Sequence, residues 1–236
     1  MAMRNRMTQF IITCEHGGHR IPHQYQSYFY GFELLLQSHR GYDRGALTMA
    51  RGLATRLNAL LFVAVTSRLL IDLNRSIGHP HLFSEVTTSL PLNIRQAIVA
   101  RYYEPYRKRV ERAIIEAIDC GNNVIHIASH SFTAVFKGQE RLADVGLLYD
   151  PSRLGEHQLC CYWQSKLKEC LPELTIRRNY PYLGKADGFT SYLRRQFPAD
   201  RYLGIELEIN QKHVVRGGKY WQQLRQRLIN AMGMLP

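Results

Sequence analysis

The sequence predicts a single α/β domain, residues 1–236, built on a central mixed sheet flanked by helices. Three observations predict it. Short apolar runs at residues 10–12, 60–66, 124–128 and 145–149 alternate with longer segments of helical spacing, the pattern of a sheet layered between helices. A chain of 236 residues suits one such domain, and this one carries no internal repeat, low-complexity stretch or linker. Polar side chains cluster where several apolar runs end, the edge at which open α/β sheets keep their ligands.

Taken in order, residues 10–12 begin a buried strand that runs into Cys14, Glu15, His16, Gly17, Gly18 and His19. The two glycines permit a sharp turn and a close backbone approach. Residues 25–36 are aromatic and apolar and predict loops with a short helix over the strand end. Asp43 precedes a helix over 46–57, where Leu47, Ala50, Leu53, Ala54 and Leu57 share a face. An Asp there reads as a helix cap or as a metal ligand at a helix start. Residues 60–66 read as a buried strand, and Leu69 to Ile71 as another apolar strand flanked by Arg68 and Arg75, with Asp72 and Asn74 after it.

A long loop follows over 76–91. Residues 91–120 are helical in pattern, with a kink or break near Tyr102, Tyr103, Pro105 and Tyr106. The run at 124–128 is a strand ending in Ser129, His130, Ser131 and Phe132. Residues 133–141 read as a loop, 145–149 and 175–178 as strands, and 155–171 as a helix. Residues 179–188 are rich in turn formers, and 189–197 form a short helix. Residues 202–211 alternate apolar and polar as a strand does, which puts Glu206 and Glu208 on one face. A helix over 220–232 closes the chain.

Composition narrows the class. The chain is 45% hydrophobic and 21% charged, as a folded globular protein is. Its longest apolar run, 59–65, is too short to span a bilayer. The basic start, Met1 to Met7, lacks a signal peptide's apolar segment. A cytoplasmic protein is expected. The five cysteines are odd in number and contain no Cys-x-x-Cys pair, which fits a reducing compartment. Cys14, late in an apolar strand, reads as an inert buried thiol. The net charge of +12 suits either nucleic acid or a small anionic substrate. Basic residues are spread along the chain, and no nucleic-acid motif accompanies them.

The constellation at the strand ends is chemically specific. Two histidines and a carboxylate can hold zinc and leave one position open. A further Glu outside the metal can move the proton of a water. Arg and Asn side chains suit a substrate carboxylate, which Arg engages in paired, planar contacts.

These stretches resemble the N-formylglutamate amidohydrolase family, whose fold is the phosphorylase/hydrolase-like α/β architecture shared with zinc carboxypeptidases. The resemblance rests on Cys14-Glu15-His16-Gly17-Gly18 with Ile21-Pro22, and on Gly41-Tyr42-Asp43-Arg44-Gly45-Ala46. It continues through Ser67-Arg68 to Asp72-Leu73-Asn74-Arg75, Ser129-His130-Ser131-Phe132 and Glu208 to Gln211. It implies a zinc-dependent hydrolase of N-acyl amino acids such as N-formylglutamate. His16 and His130 would be metal ligands, with Asp43 as the third. The carboxypeptidases have His-x-x-Glu where this chain has His16-x-x-His19, so His19 and Glu15 stay open as third ligands. The resemblance implies that Arg68, Asn74, Arg75 and Ser131 contact substrate and that Glu208 is the general base, with Glu206 in reserve. The first turn, Glu-His-Gly-Gly, departs from the family's Pro-His-x-Gly and points to a divergent branch. A carboxypeptidase or peptidoglycan-type amidase, and a basic nucleic-acid-binding protein, are the competing readings. Oligomeric state is not read from the sequence.

Overall fold

The first strand sets the architecture. In the computed structural model, which describes residues 7–234, β1 spans Thr8–Cys14. Phe10, Ile12 and Cys14 pack into one core, and Ile11 packs into the other. This two-sided burial is what a central strand of a layered α/β fold requires.

A 3-10 turn (His23–Phe29) and α1 (Glu33–Gln37) follow, then α2 (Ala46–Arg56) and β2 (Leu60–Val63). Next come α3 (Leu92–Ile98), a π-helical turn (Val99–Tyr103) and α4 (Glu104–Asp119). Then β3 (Asn123–Phe132), the small hairpin β4 (Val135–Phe136) and β5 (Gln139–Glu140), and β6 (Val145–Leu148). The chain closes with α5 (Leu154–Cys170), β7 (Ile176–Arg178), α6 (Phe189–Gln196), β8 (Tyr202–Asn210), α7 (Gln211–Arg216) and α8 (Gly218–Met232).

Six strands form one mixed sheet in the order β2-β1-β3-β8-β6-β7. The pairs from β2 through β8 are parallel, β6 runs antiparallel to β8, and β7 is parallel to β6. Helices α2, α5 and α8 cover one face, and α3, α4, α6 and the long loop cover the other. The protein is thus a single α/β domain with a central mixed sheet between helices, as the alternation of runs predicts. Among the described residues, no helix is long and apolar enough to cross a membrane. The basic start, residues 1–6, lies outside the described residues.

Several expectations are corrected. Residues 60–66 do not form a buried strand: β2 stops at Val63, lies at the sheet edge, and leaves Leu60 47% exposed. Leu69 to Ile71 are buried but lie in a turn and the irregular segment after it, not in a strand. Their apolar character serves the core beneath α4. Tyr202–Asn210 alternates in sequence, yet nearly all of it is buried, because its carboxylates face an internal cavity. The predicted loop at 133–141 contains the β4–β5 hairpin. The break near Tyr102 is the π-helical turn ahead of Pro105, a local widening that often accompanies functional sites.

Candidate active site

Four chain segments build the site. The turn after β1 carries Glu15 and His16. Gly17 and Gly18 press it against the exit of β2: a Cβ on Gly17 would stand 2.9 Å from the Ala64 carbonyl, and one on Gly18 would stand 2.7 Å from that of Val65. Side chains at these positions would push the turn off the sheet. Asp43 is tied to this turn by its backbone, its N–H donating to the His16 carbonyl at 2.9 Å. The cap of α2 is Gly45, in the left-handed region at φ 87°, so Asp43 is not the helix cap and its carboxylate faces the cluster. His130 lies near the end of β3, inside the strand rather than beyond it. Glu208 sits opposite His130 in β8.

The imidazoles converge on one oxygen. Asp43 Oδ2 lies 2.9 Å from His130 Nδ1 and 3.4 Å from His16 Nδ1. Each ring is held from behind by another buried carboxylate. His16 Nε2 meets Asp72 Oδ1 at 2.7 Å, and His130 Nε2 lies 3.3 Å from Glu15 Oε2. The second contact is an ion pair rather than an aligned hydrogen bond, because neither atom has a hydrogen-bond partner among the described residues. Tyr106 donates to the other Glu15 oxygen at 3.1 Å.

The donor atoms of His16, Asp43 and His130 all lie within 4.8 Å of one another, and all three residues are buried. Two imidazole nitrogens and a carboxylate oxygen, each ring backed by a carboxylate, is a donor set that fits a divalent metal with its outer partners. Of the alternatives for a third ligand, Glu15 lies on the far side of His130, and His19 is exposed and packs against Tyr42.

The electrostatics follow from packing. Burial by itself would raise the Asp43 carboxyl, but the neighbouring imidazoles outweigh it and hold the group well below the carboxylate range. Glu15 is held at about 2 against the pull of burial by its His130 partner. Asp72 is likewise held low, by Arg68 above all, which bonds it at 2.6 Å. His130 is pushed well above its usual value by Asp43 and Glu15, again against burial. Glu208 moves the other way. Burial, with Asp43 and Glu206 nearby, pushes it up to about 8, and its Oε2 is buried with no hydrogen-bond partner among the described residues. Glu206 is engaged, accepting from the Thr190 hydroxyl at 2.6 Å.

The cluster opens into a cavity of about 180 Å3 lined also by Arg68, Asn74, Arg75, Ser131, Glu206 and Glu208. The four residues expected to contact substrate therefore share one cavity, with differing freedom. Arg68 is bound to Asp72 and lies 3.4 Å from Asp43. Asn74 Oδ1 accepts the Phe189 N–H at 2.7 Å. Ser131 donates to the Arg44 carbonyl and accepts from Gln211. Among the described residues the Arg75 side chain donates only to the Asp187 carbonyl, at 2.6 Å.

Sequence reasoning gave no function to the fourth wall, Tyr182, Leu183, Ala186 and Asp187. Its turn formers marked a loop, but nothing in them told where that loop folds. It lies over β6 because Gly146 and Gly184 have no side chains: a Cβ on the first would collide with the Tyr180 carbonyl, and one on the second with the Tyr149 backbone. The outer partner of His16 was more visible, since Asp72 stands two residues before Asn74 in the same motif. Cys14 is buried, and burial pushes its thiol well up, as an inert cysteine requires.

A larger cavity of about 530 Å3, beneath the long loop at Ile77 to Thr88, contains none of these side chains.

Comparison with known proteins bears on this geometry. The chain is similar to a gene product of Agrobacterium tumefaciens of known structure, at 29% identity and a TM-score of 0.80, over 95% of this chain and 89% of that one. It shares its fold with an N-formylglutamate amidohydrolase from Ralstonia eutropha JMP134, at 19% identity and a TM-score of 0.69, over 97% and 93% of the two chains. No curated protein matches the sequence. A family model for N-formylglutamate amidohydrolase matches residues 8–215, from the first residue of β1 into α7, and so spans every segment that builds the cavity. The chain therefore belongs to the N-formylglutamate amidohydrolase family and is an amidohydrolase.

Proposed function

We propose that this amidohydrolase is a zinc enzyme that hydrolyses the amide of an N-acyl amino acid such as N-formylglutamate, working in the cytoplasm. One observation carries the reading: two imidazole Nδ1 atoms and one carboxylate converge in a buried cavity beside a second carboxylate, whose buried Oε2 has no hydrogen-bond partner among the described residues. His16, Asp43 and His130 would hold the metal. When bound, zinc supplies Lewis-acid polarisation of the amide carbonyl and of the attacking water.

The remaining work falls to the chain. Asp72 accepts from His16 Nε2, and the Glu15 carboxylate lies in ion-pair contact with His130 Nε2; both partners favour the Nδ1 atoms as the inward-facing donors. Glu208 takes the proton of the attacking water and returns it to the leaving amine. Its environment favours proton uptake, a requirement for a base that must also act as an acid. Arg75 binds the substrate carboxylate. Asn74 and Ser131 shape the wall on which the amide lies, and Arg68 places a positive charge beside the developing oxyanion.

The experiment is metal analysis of the purified protein, followed by amine release over a panel of N-acyl amino acids. Stoichiometric zinc with turnover of N-formyl or N-acetyl acidic amino acids supports the reading. Full turnover after exhaustive chelation would overturn the metal, and inertness of the zinc-loaded enzyme across the panel would overturn the substrate.

A further inference from the structure

The inner cavity of about 180 Å3 has a larger neighbour. A second cavity, of about 430 Å3, adjoins it, and Arg68 and Arg75 line both, so the two spaces meet at these residues. A single carboxylate on Arg75 does not call for such a space. Its size is that of a complete small-ligand site, about 300–1,000 Å3.

The lining of this outer chamber has a definite character. Phe83 and Phe136 supply apolar surface, and His39, Arg40 and His81 supply basic groups. Its two carboxylates are already committed, Asp72 to Arg68 and His16, and Glu85 to Arg40. Arg75 has no carboxylate within ion-pair distance among the described residues. The chamber is left with a guanidinium that makes no close ion pair among the described residues at its inner end, and two imidazoles that line only the outer space. Burial lowers the His39 pKa, with Arg40, Arg68 and Arg141 acting in the same direction, so this ring meets an anion as a neutral N–H donor.

We propose that the natural substrate spans both chambers: an N-acyl amino acid whose α-carboxylate sits on Arg75 and whose side chain is extended, as in a γ-linked dipeptide, to a terminal carboxylate held by His39 and His81. The inference rests on the N-acyl amino-acid reading above. The reaction is unchanged: water adds across the acyl C–N bond, which breaks to give the free carboxylic acid and the free amine. The extension takes no part in the chemistry. It supplies binding surface against Phe83 and Phe136 and hydrogen bonding in the outer chamber.

The test compares kcat/KM of the zinc-loaded enzyme for N-formylglutamate and for N-formyl-γ-glutamylglutamate. The extended substrate is expected to be favoured at least tenfold, and the ratio of the two values is expected to fall towards one in H39A/H81A. If that variant misfolds, as judged by its thermal transition, H39Q/H81Q serves instead. Equal turnover of both substrates by the wild type, or a ratio that the histidine variants leave intact, would overturn the outer-chamber assignment while the N-acyl amino-acid reading stands. Equal preference for an extension ending in a neutral amide would overturn its anionic character. If the enzyme binds zinc but hydrolyses neither compound, the N-acyl amino-acid reading fails and this inference fails with it.

Discussion

His130 and Glu208 are direct cross-strand partners in the parallel pair β3–β8, so one imidazole and one carboxylate reach the same cavity from neighbouring strands. Glu206, one strand period earlier, pairs with Ala128 and bonds to Thr190. The structural difference between the two glutamates therefore predicts a kinetic one. Glu208→Gln keeps the shape but cannot accept a proton, and it should lower kcat by roughly 10²–10⁴-fold with metal content and thermal transition retained. Glu206→Gln should cost much less in kcat. If steady-state kinetics show the reverse, Glu206 is the base; if both variants keep full activity, β8 supplies none.

The carboxylates behind the imidazoles predict an effect on affinity. Asp72→Asn and Glu15→Gln should each weaken metal binding by about 10–100-fold, the usual cost of losing such a partner. Competition with a coloured chelator measures it directly, without substrate. Unchanged affinity in both variants would mean that the rings are oriented by packing alone.

Arg75 is the one arginine of the cavity without a carboxylate partner among the described residues, which makes it the natural anchor for a substrate carboxylate. Removing a charge-assisted contact costs about 1.5–3 kcal/mol. Arg75→Ala should therefore raise KM by roughly 10- to 100-fold for carboxylate-bearing substrates and much less for the matching amides. Equal effects on both would remove the carboxylate from this position.

A further prediction concerns acid stability. His126 is buried in β3, with Nε2 on the Thr13 hydroxyl at 2.8 Å and Nδ1 on the Tyr202 hydroxyl at 2.7 Å. Burial pushes its pKa from 6.5 down to about 4. Below pH 6.5 the unfolded chain takes up a proton that the folded chain refuses. Stability is fully present above that value and is lost as pH falls towards 4, by an amount on the order of 3 kcal/mol. Glu208, raised to about 8, gains a proton on folding in the same window and slopes the other way. The readout is therefore the difference: wild-type urea midpoints should lose more, or gain less, than those of His126→Gln as pH falls from 6.5 to 4. Glu15, held at about 2, contributes its own loss at lower pH, so the two windows separate.

What the sequence disclosed follows the range of its signals. The ends of β1 and β3 are legible because a strong apolar run stops at a turn or a polar triplet, and the site lies where these runs stop. The segment from Leu69 to Ile71 misleads for the same reason in reverse. Three apolar residues in a row satisfy a strand's composition, but here a core that forms only in three dimensions buries them outside any strand. In β8 the alternation is real while its usual meaning, one wet face, fails, because Glu206 and Glu208 face an enclosed cavity. The short helix α7 had a local sign that went unread: Asn210 caps it by accepting the Lys212 N–H at 3.0 Å. The position of Tyr182 and Leu183 was not legible locally, since the neighbouring Gly184 gains its meaning only against the Tyr149 backbone, and the loop also needs the missing side chain of Gly146 far back along the chain.

The π-helical turn at Val99–Tyr103 also works as a spacer. Just past it, the Tyr106 hydroxyl reaches Glu15, behind His130, and within it the Tyr103 hydroxyl donates to the Arg75 carbonyl at 2.8 Å. One helix thus props the Glu15–His130 side and the Arg75 side of the cavity from outside, although residues 99–103 line no part of it. An added or deleted residue turns everything downstream by about 100° around the helix axis, since a turn takes 3.6 residues. Point changes on the exposed side of this segment leave both hydroxyls in place, whereas a one-codon insertion or deletion ahead of Tyr103 swings both off Arg75 and Glu15. Chain length here, more than the identity of most residues, keeps the two halves of the site in register.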